Sequence, residues 1–565
     1  MYPAQTSFIP LTVALVKFVV EGGSVWGNYP YWYLGEVPFR YLTGPVVPVL
    51  ILGFHTIFNG FSLFDWSFVL MAVAWIVAAF GWGFLAWQLS GCKKIGVLVG
   101  ILSLVSPWHI VSSLALSEVS AVLASSIGPW VLVSFISSVH QLKKRSAKHN
   151  LDSDPSNSAS LKPPHTTNLE LTRPETWVRS VMFLNWFTSL TFVSIVLFAI
   201  LLLTNTIASI PTILGLGILS FVLYKHPTEG LKKAGMVVLL GGLLTLWWYD
   251  PSYWLKILFA PSFGGKSMVG SLLYVVDMAR TLLPVALAFI VVVWKVKPKN
   301  NFEKFAFLWL GSFIGLTLVR FVSNIHFWLD WTSWFGEIEV GLALVFVGFV
   351  SKNALLFGHS LGRDQRSVVG LHAVQVSQNS EITPSRTTLP RVYPEIDRRA
   401  AGTPSVLATR KVAFIAICLL VGSWFLAYAN LDFWLPRRNI ENTVEWQVAD
   451  KLREIVKPNE SVFLSGTSAF WLNAFIDVRQ VRGGADQVGL RPDLAKAVWE
   501  VRMGSDGQKS VGDLKRLGVN YLVVHSNYSK EFYHDFENPG KFEGLITLKK
   551  VYDENGDIIY QINER

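Results

Sequence analysis

Charge is what this sequence has least of. Of its 565 residues only 16% are Asp, Glu, Lys or Arg, while 51% are hydrophobic, against about 25% charged in an ordinary soluble chain. A deficit of that size implies apolar surface that water does not wet. Cysteine is also nearly missing: the two present, Cys92 and Cys418, exclude a disulfide framework and any cysteine-based metal cluster. No Walker A, HExxH or GxSxG pattern occurs, which removes the common phosphate-loop, zinc-protease and serine-hydrolase chemistries. The start, MYPAQTSF, has no basic stretch, so no cleavable signal peptide is expected.

What is present is oil and rings, with a mean hydropathy of +0.40, 23 Trp and 38 Phe. A helix needs about 20 apolar residues to cross about 30 Å of hydrocarbon. Runs at or near that length cover 67-90, 96-112, 119-139, 181-203, 208-224, 234-248, 275-295, 305-325, 336-351 and 412-432. They predict a mainly α, polytopic transmembrane bundle of about ten spans. The net charge of +10 sits in loops between these runs. It therefore sets orientation and does not mark a nucleic-acid surface.

Three polar stretches, 141-180, 294-304 and 352-411, carry the basic residues and are expected on the cytoplasmic side. The two long ones read as disordered linkers, because Ser, Pro and scattered charge cannot bury enough apolar area to offset chain entropy. The organisation that follows is an outer loop with interfacial or re-entrant segments (1-66), spans (67-140), a linker (141-180), spans (181-351), a linker (352-411), a last span (412-432) and an extracytoplasmic domain (433-565). Residues 46-59 are taken as re-entrant, since the run is short and contains Pro48.

The carboxy-terminal part changes period. EWQVADKLREIV reads as a helix leading to the strand SVFLSG; SVGDLKRLGVNYLVVHS repeats the unit, with Gly518 as helix stop. LKKVYDENGDIIYQI places Asn555-Gly556 between two apolar strands, a hairpin signal. Helix and strand in alternation predict a small α/β domain. The passage RGGADQ, Arg482 to Gln487, lacks GxGxxG spacing and is read as a turn.

Candidate chemistry lies in the loops expected outside. Ionisable residues close to hydrocarbon are costly and hence functional candidates: Glu21, Glu36, Arg40, Glu118, Asp250, Lys256, Lys266, Asp330, Glu337 and Glu339. They stand among aromatics such as Trp32, Tyr41, Trp108 and Trp254. A carboxylate beside stacked rings suits a sugar, whose C–H faces pack on rings while its hydroxyls take hydrogen bonds. Aromatic belts also anchor membrane proteins of every function.

Three passages carry a resemblance: GEVPFRYLTGPVVP in the first loop, SPWHIVSSLALSE (Ser106 to Glu118), and FWLNAFIDVRQVRGGADQ near the end. Together with the span number and the outer α/β domain, they make the chain resemble the C-superfamily (GT-C) glycosyltransferases. More narrowly, it resembles the bacterial membrane proteins termed 6-pyruvoyl-tetrahydropterin synthase-related. The resemblance implies transfer of a sugar from a polyprenyl-phosphate-linked donor, held in the lipid bilayer, to a glycan, lipid or protein acceptor at the outer face of the cell membrane. It implies Glu36 as the catalytic acid or base, with Glu118 and Asp250 as further catalytic acids. Arg40 or Lys256 would meet the carrier phosphate. Tyr41, Trp32, Trp108, His109, Trp254 and Lys266 complete the implied binding set. No metal ligands are assigned, the cofactor is unknown with a divalent cation left open, and no nucleic-acid partner is expected. The chain departs from the family pattern in having no Asp in residues 1-20.

Two other functions stay open. A transporter or flippase predicts charges paired in mid-span and an inverted repeat; Asp277 and Arg280 are the one such pair, and no repeat is visible. A non-catalytic envelope protein would display the outer domain to partners.

Overall fold

The computed structural model describes residues 2–152 except 59 and 117, then 190–259, 298–323, 334–352, 439–484 and 491–563, with a few isolated residues between. The expected spans 275-295 and 412-432, the Asp277 and Arg280 pair, Lys266 and Asp330 all lie outside the described residues.

The described chain is mostly helical with one small sheet. Two helices are long and apolar enough to cross a membrane: α4 (Leu63–Ser90) and the segment Val119–Gln141 of α7 (Val119–Asp152). α4 shows why its sequence starts and stops there. Ser62 and Asp65 form a reciprocal capping box, and Gly91 closes the other end at φ 70°. Between the caps lies an apolar run with outward Val73, Ile76 and Phe80 at 51, 49 and 68% exposure. Apolar side chains on both faces of a helix mark a surface that meets lipid or another protein rather than water. α5 (Lys93–Leu104) returns against α4, with Gly96 seated on Gly83 and Gly100 on Ala79. Small residues letting two backbones touch are the usual packing device in lipid.

The run 96-112, expected as one span, is not one helix. α5 ends at Leu104, and the short α6 (Pro107–Val111) begins after a break at Ser106, because a residue before proline is pushed out of helical dihedrals. A second correction concerns 141-180: α7 continues through Asp152. The Gln, Leu, Lys, Arg and Ala of that stretch are good helix formers.

The bundle continues with α8 (Leu190–Thr204), α9 (Ser209–Leu223), α10 (Pro227–Leu243), α11 (Pro251–Phe259), α12 (Asn301–Ser323) and α13 (Phe335–Lys352). A core of Leu85, Phe135, Phe198, Leu219, Trp309 and Val347 joins most of them.

Two helices precede the bundle, α1 (Ile9–Val20) and α3 (Val46–Ile57), with the one-turn α2 (Phe39–Leu42) between them. α1 and α3 pack through Ile9, Val13, Val47 and Ile51 against Phe64, Leu70 and Val119, which belong to the first turns of α4 and α7. They therefore sit at one end of the bundle rather than along it.

The carboxy-terminal domain holds α14 (Val444–Ile455), β1 (Ser461–Phe463), α15 (Thr467–Phe475), β2 (Arg479–Gln480), α16 (Pro492–Met503), α17 (Gly507–Arg516), β3 (Tyr521–His525), β4 (Leu548–Glu554) and β5 (Asp557–Ile562). The sheet order is β2-β1-β3-β5-β4, parallel through β2, β1 and β3 and antiparallel through β5 and β4. The turn of the final hairpin has Asn555 and Gly556 at φ 54° and 85°, the paired left-handed dihedrals of a twisted two-residue turn.

Candidate active site

The first loop builds its own scaffold before it offers anything to a ligand. The Tyr29 N–H donates to Val37 and the Phe39 N–H to Gly27, pinning a ladder around 28 and 38. Tyr33, Leu34 and Gly35 all take left-handed dihedrals, an uncommon run for non-glycine residues. Tyr29 packs edge-on to Trp32 at 4.9 Å and to Tyr31 at 5.4 Å.

That scaffold is fastened to the carboxy-terminal domain. Tyr31 accepts from the Gln480 N–H at 2.7 Å, extending β2. Trp32 is 1% exposed and donates to Asn473 at 2.9 Å. A Cβ on Gly483 would stand 2.3 Å from the Trp32 ring, and one on Gly484 2.4 Å from Leu11. The two glycines of RGGADQ thus serve backbone approach. Trp32 leaves the ligand-binding set, since both its ring and its N–H are occupied.

At its end the loop meets α11. Gly44 lies so close to Leu203 that an added Cβ would fall 1.8 Å from the carbonyl oxygen, and Trp248 donates to the Thr43 carbonyl at 3.0 Å. These contacts bring Arg40 and Tyr41 to Asp250. Arg40 forms an ion pair with Asp250, and the Tyr41 hydroxyl donates to the same carboxylate at 2.8 Å. Ser252 at 2.6 Å and the Tyr253 N–H at 3.0 Å complete its shell. Burial pushes the Asp250 carboxyl up, but the hydrogen bonds from Ser252, Tyr253 and Tyr41 and the Arg40 charge outweigh it and hold it at about 2. Lys256 sits over the Tyr41 ring at 4.8 Å, and Arg40 lies 5.5 Å from the same ring. Tyr41 continues into a stack with Tyr253 at 5.3 Å, Tyr249 at 4.2 Å from Tyr253, and Trp254 at 5.5 Å from Tyr253. Two cations, one carboxylate and four rings thus share one patch, and Arg40, Tyr41, Asp250, Trp254 and Lys256 are all in it.

Glu118 borders this patch through the turn between α8 and α9. Asn205 donates to Glu118 at 2.9 Å while its own carbonyl caps the Ile207 and Ala208 N–H groups. The next residue, Thr206, meets the Tyr253 hydroxyl at 3.2 Å. Glu36 takes another partner: Arg491 of the carboxy-terminal domain, at 2.5 Å, which also pairs with Asp493. Glu36, Glu118 and Asp250 thus each have a partner of their own, Arg491, Asn205 and Arg40.

Trp108 and His109 form a second group. The Trp108 N–H donates to Glu339 at 2.9 Å, Ser106 donates to the same carboxylate, and His109 Nδ1 lies 3.0 Å from Ser106. The Trp108 ring meets Phe335 edge-on at 5.0 Å. Here Glu339 caps the start of α6 and ties it to α13. Among the described residues no group of three or more His, Cys, Asp or Glu is arranged to hold a metal.

The chain resembles solved structures of two proteins. One is the oligosaccharyltransferase of Archaeoglobus fulgidus in the apo form, at 12% identity over 100% of this chain and 71% of that one, with a TM-score of 0.45. The other is ArnT from Cupriavidus metallidurans in the apo state, at 12% identity, 99% and 93% coverage and a TM-score of 0.43. ArnT bound to undecaprenyl phosphate gives 10% identity, the same coverage and a TM-score of 0.40. No known protein family and no curated protein matches the sequence, so the narrower expectation of a 6-pyruvoyl-tetrahydropterin synthase-related protein finds no match.

Sequence reasoning missed Asn205, Thr206 and Ser252. Small polar residues in turns carry no periodic signal, and their role depends on the acids they hold.

Proposed function

We propose that the protein is a membrane glycosyltransferase of the GT-C type, moving a sugar from a polyprenyl-phosphate carrier to an acceptor hydroxyl or amide at the outer face. The observation that carries this reading is the pairing of Arg40 and Lys256 around the Tyr41 ring, beside an aromatic stack. In such a transfer the acceptor attacks the anomeric carbon, the bond from that carbon to the phosphate oxygen breaks, and the phosphate leaves with the electron pair. Arg40 and Lys256 would stabilise the charge that grows on it, and the rings would pack on the sugar face. Asp250, held ionised near pKa 2 by its donors, is a weak base. Its role in this reading is to orient Arg40 and Tyr41.

Our choice for the base that takes the acceptor proton is Glu118, which borders the patch through Asn205 and is exposed. Glu36, engaged by Arg491, is second. The test is transfer by the purified full chain from a radiolabelled polyprenyl-phosphate sugar. Arg40→Ala and Lys256→Ala are expected to weaken use of the donor, and Glu118→Gln to lower turnover by about 100- to 10,000-fold. Absence of transfer by the wild type across donor sugars removes the proposal.

A further inference from the structure

Far from that patch, residues 2–8 are bound to the carboxy-terminal domain around two buried acids. Glu445 of α14 and Glu531 of the segment after β3 are 2% and 1% exposed. Between them stands the Thr467 hydroxyl at the start of α15, 2.5 Å from Glu445 Oε1 and 3.0 Å from Glu531 Oε1. A hydroxyl has one proton to donate. With both carboxylates ionised, one of the two contacts would set oxygen against oxygen with no hydrogen between. Glu531 already accepts two N–H groups, from Thr467 at 2.7 Å and His534 at 2.8 Å, so both of its oxygens serve as acceptors. The extra proton therefore belongs on Glu445, which donates to Thr467, which donates to Glu531.

The same junction ties down the amino-terminal segment. The Gln5 side chain bonds Glu445 and donates to the Lys530 carbonyl at 3.1 Å, while the Gln5 carbonyl accepts from Trp471 of α15 at 3.1 Å. Phe8, three residues on, donates to Leu116 of the bundle at 2.7 Å. Other charged groups nearby are already occupied: Asp535 accepts from Gly466 and pairs with Arg482 and Arg502. α15 has no charged residue, and Tyr2 is the one titratable side chain of residues 2–8.

We propose that Glu445 and Glu531 hold a single proton between them, and that this proton latches the start of α15 to α14 and to the segment after β3, the surface on which residues 2–8 dock. Burial pushes the Glu445 carboxyl up and the Glu531 charge adds to it, against the hydrogen bonds that Thr467 and Gln5 would give to the ionised form. Glu445 in the folded domain thus binds its proton more tightly than the unfolded chain does. The junction, and with it the docking of residues 2–8, is complete at low pH and weakens as pH rises through the folded value, when two like charges come to face each other across one hydroxyl.

Hydrogen exchange on the full chain in detergent tests this, read as protection factors, which divide out the intrinsic acceleration with pH. The amides of Ser7 and Phe8 should lose about tenfold or more of their protection between pH 6 and 9.5, while β3 stays protected. Glu445→Gln, a neutral acid mimic, should keep the segment protected throughout. Wild-type protection that does not change, or a Glu445→Gln chain that loses it equally, overturns the latch. Should Glu445→Gln fail to protect β3, the decision passes to Glu531→Gln. Removing that charge must move the wild-type midpoint to lower pH, and an unmoved midpoint also overturns the proposal.

Discussion

At the scale of single residues, one close fit is that of Gly483 under Trp32. An alanine there must push the indole off Asn473, at a cost of about 1–3 kcal/mol for overpacking. Gly483→Ala should lower the thermal midpoint in detergent; an unchanged midpoint would mean the first loop is not seated on that backbone. The fit also shows why RGGADQ was only partly legible. Its departure from phosphate-loop spacing could be read directly, but the Trp32 ring that requires Gly483 and the Leu11 side chain that requires Gly484 lie at the other end of the chain, as the Trp32–Asn473 separation of 441 makes plain. The acids follow the same logic. Their presence in loops was visible, whereas their partners, Arg491 for Glu36 and Asn205 for Glu118, were not.

At the scale of elements, local signals read well and long-range docking did not. The helix–strand alternation and the Asn555-Gly556 hairpin stand where the sequence puts them, because turn chemistry and capping are written within a few residues. α1 lies in the stretch 1-66 expected as a loop with interfacial or re-entrant segments. It is a docking helix: it packs on α15 and carries Lys17 to Asp477 at 2.9 Å. With side chains 22% and 38% exposed, that ion pair is worth at most about 1 kcal/mol. Lys17→Ala should therefore cost little and lose even that in molar salt. A large, salt-insensitive loss would show that α1 is held by charge rather than by its apolar face.

At the scale of the whole molecule, residues 9–45 and 440–562 share continuous cores, with Leu15, Tyr29 and Trp32 packed among Phe463, Val481 and Leu494. Whatever side of the bilayer one occupies, the other must occupy too. Single cysteines at Ser24 and Lys549, in a chain with Cys92 and Cys418 replaced by serine, should react together with an impermeant maleimide on intact cells. A cysteine in 352-411 should react only after permeabilisation. Labelling of the first two on opposite sides would break the shared core.

That shared core also fixes an order of events during synthesis. Trp32 leaves the ribosome 441 residues ahead of Asn473, so the ring-rich first loop spends most of translation without the surface it belongs to. Contacts so distant along the chain close slowly. In the interval those aromatics need lipid headgroups or a chaperone, which makes the nascent first loop the part of the chain most exposed to misassembly.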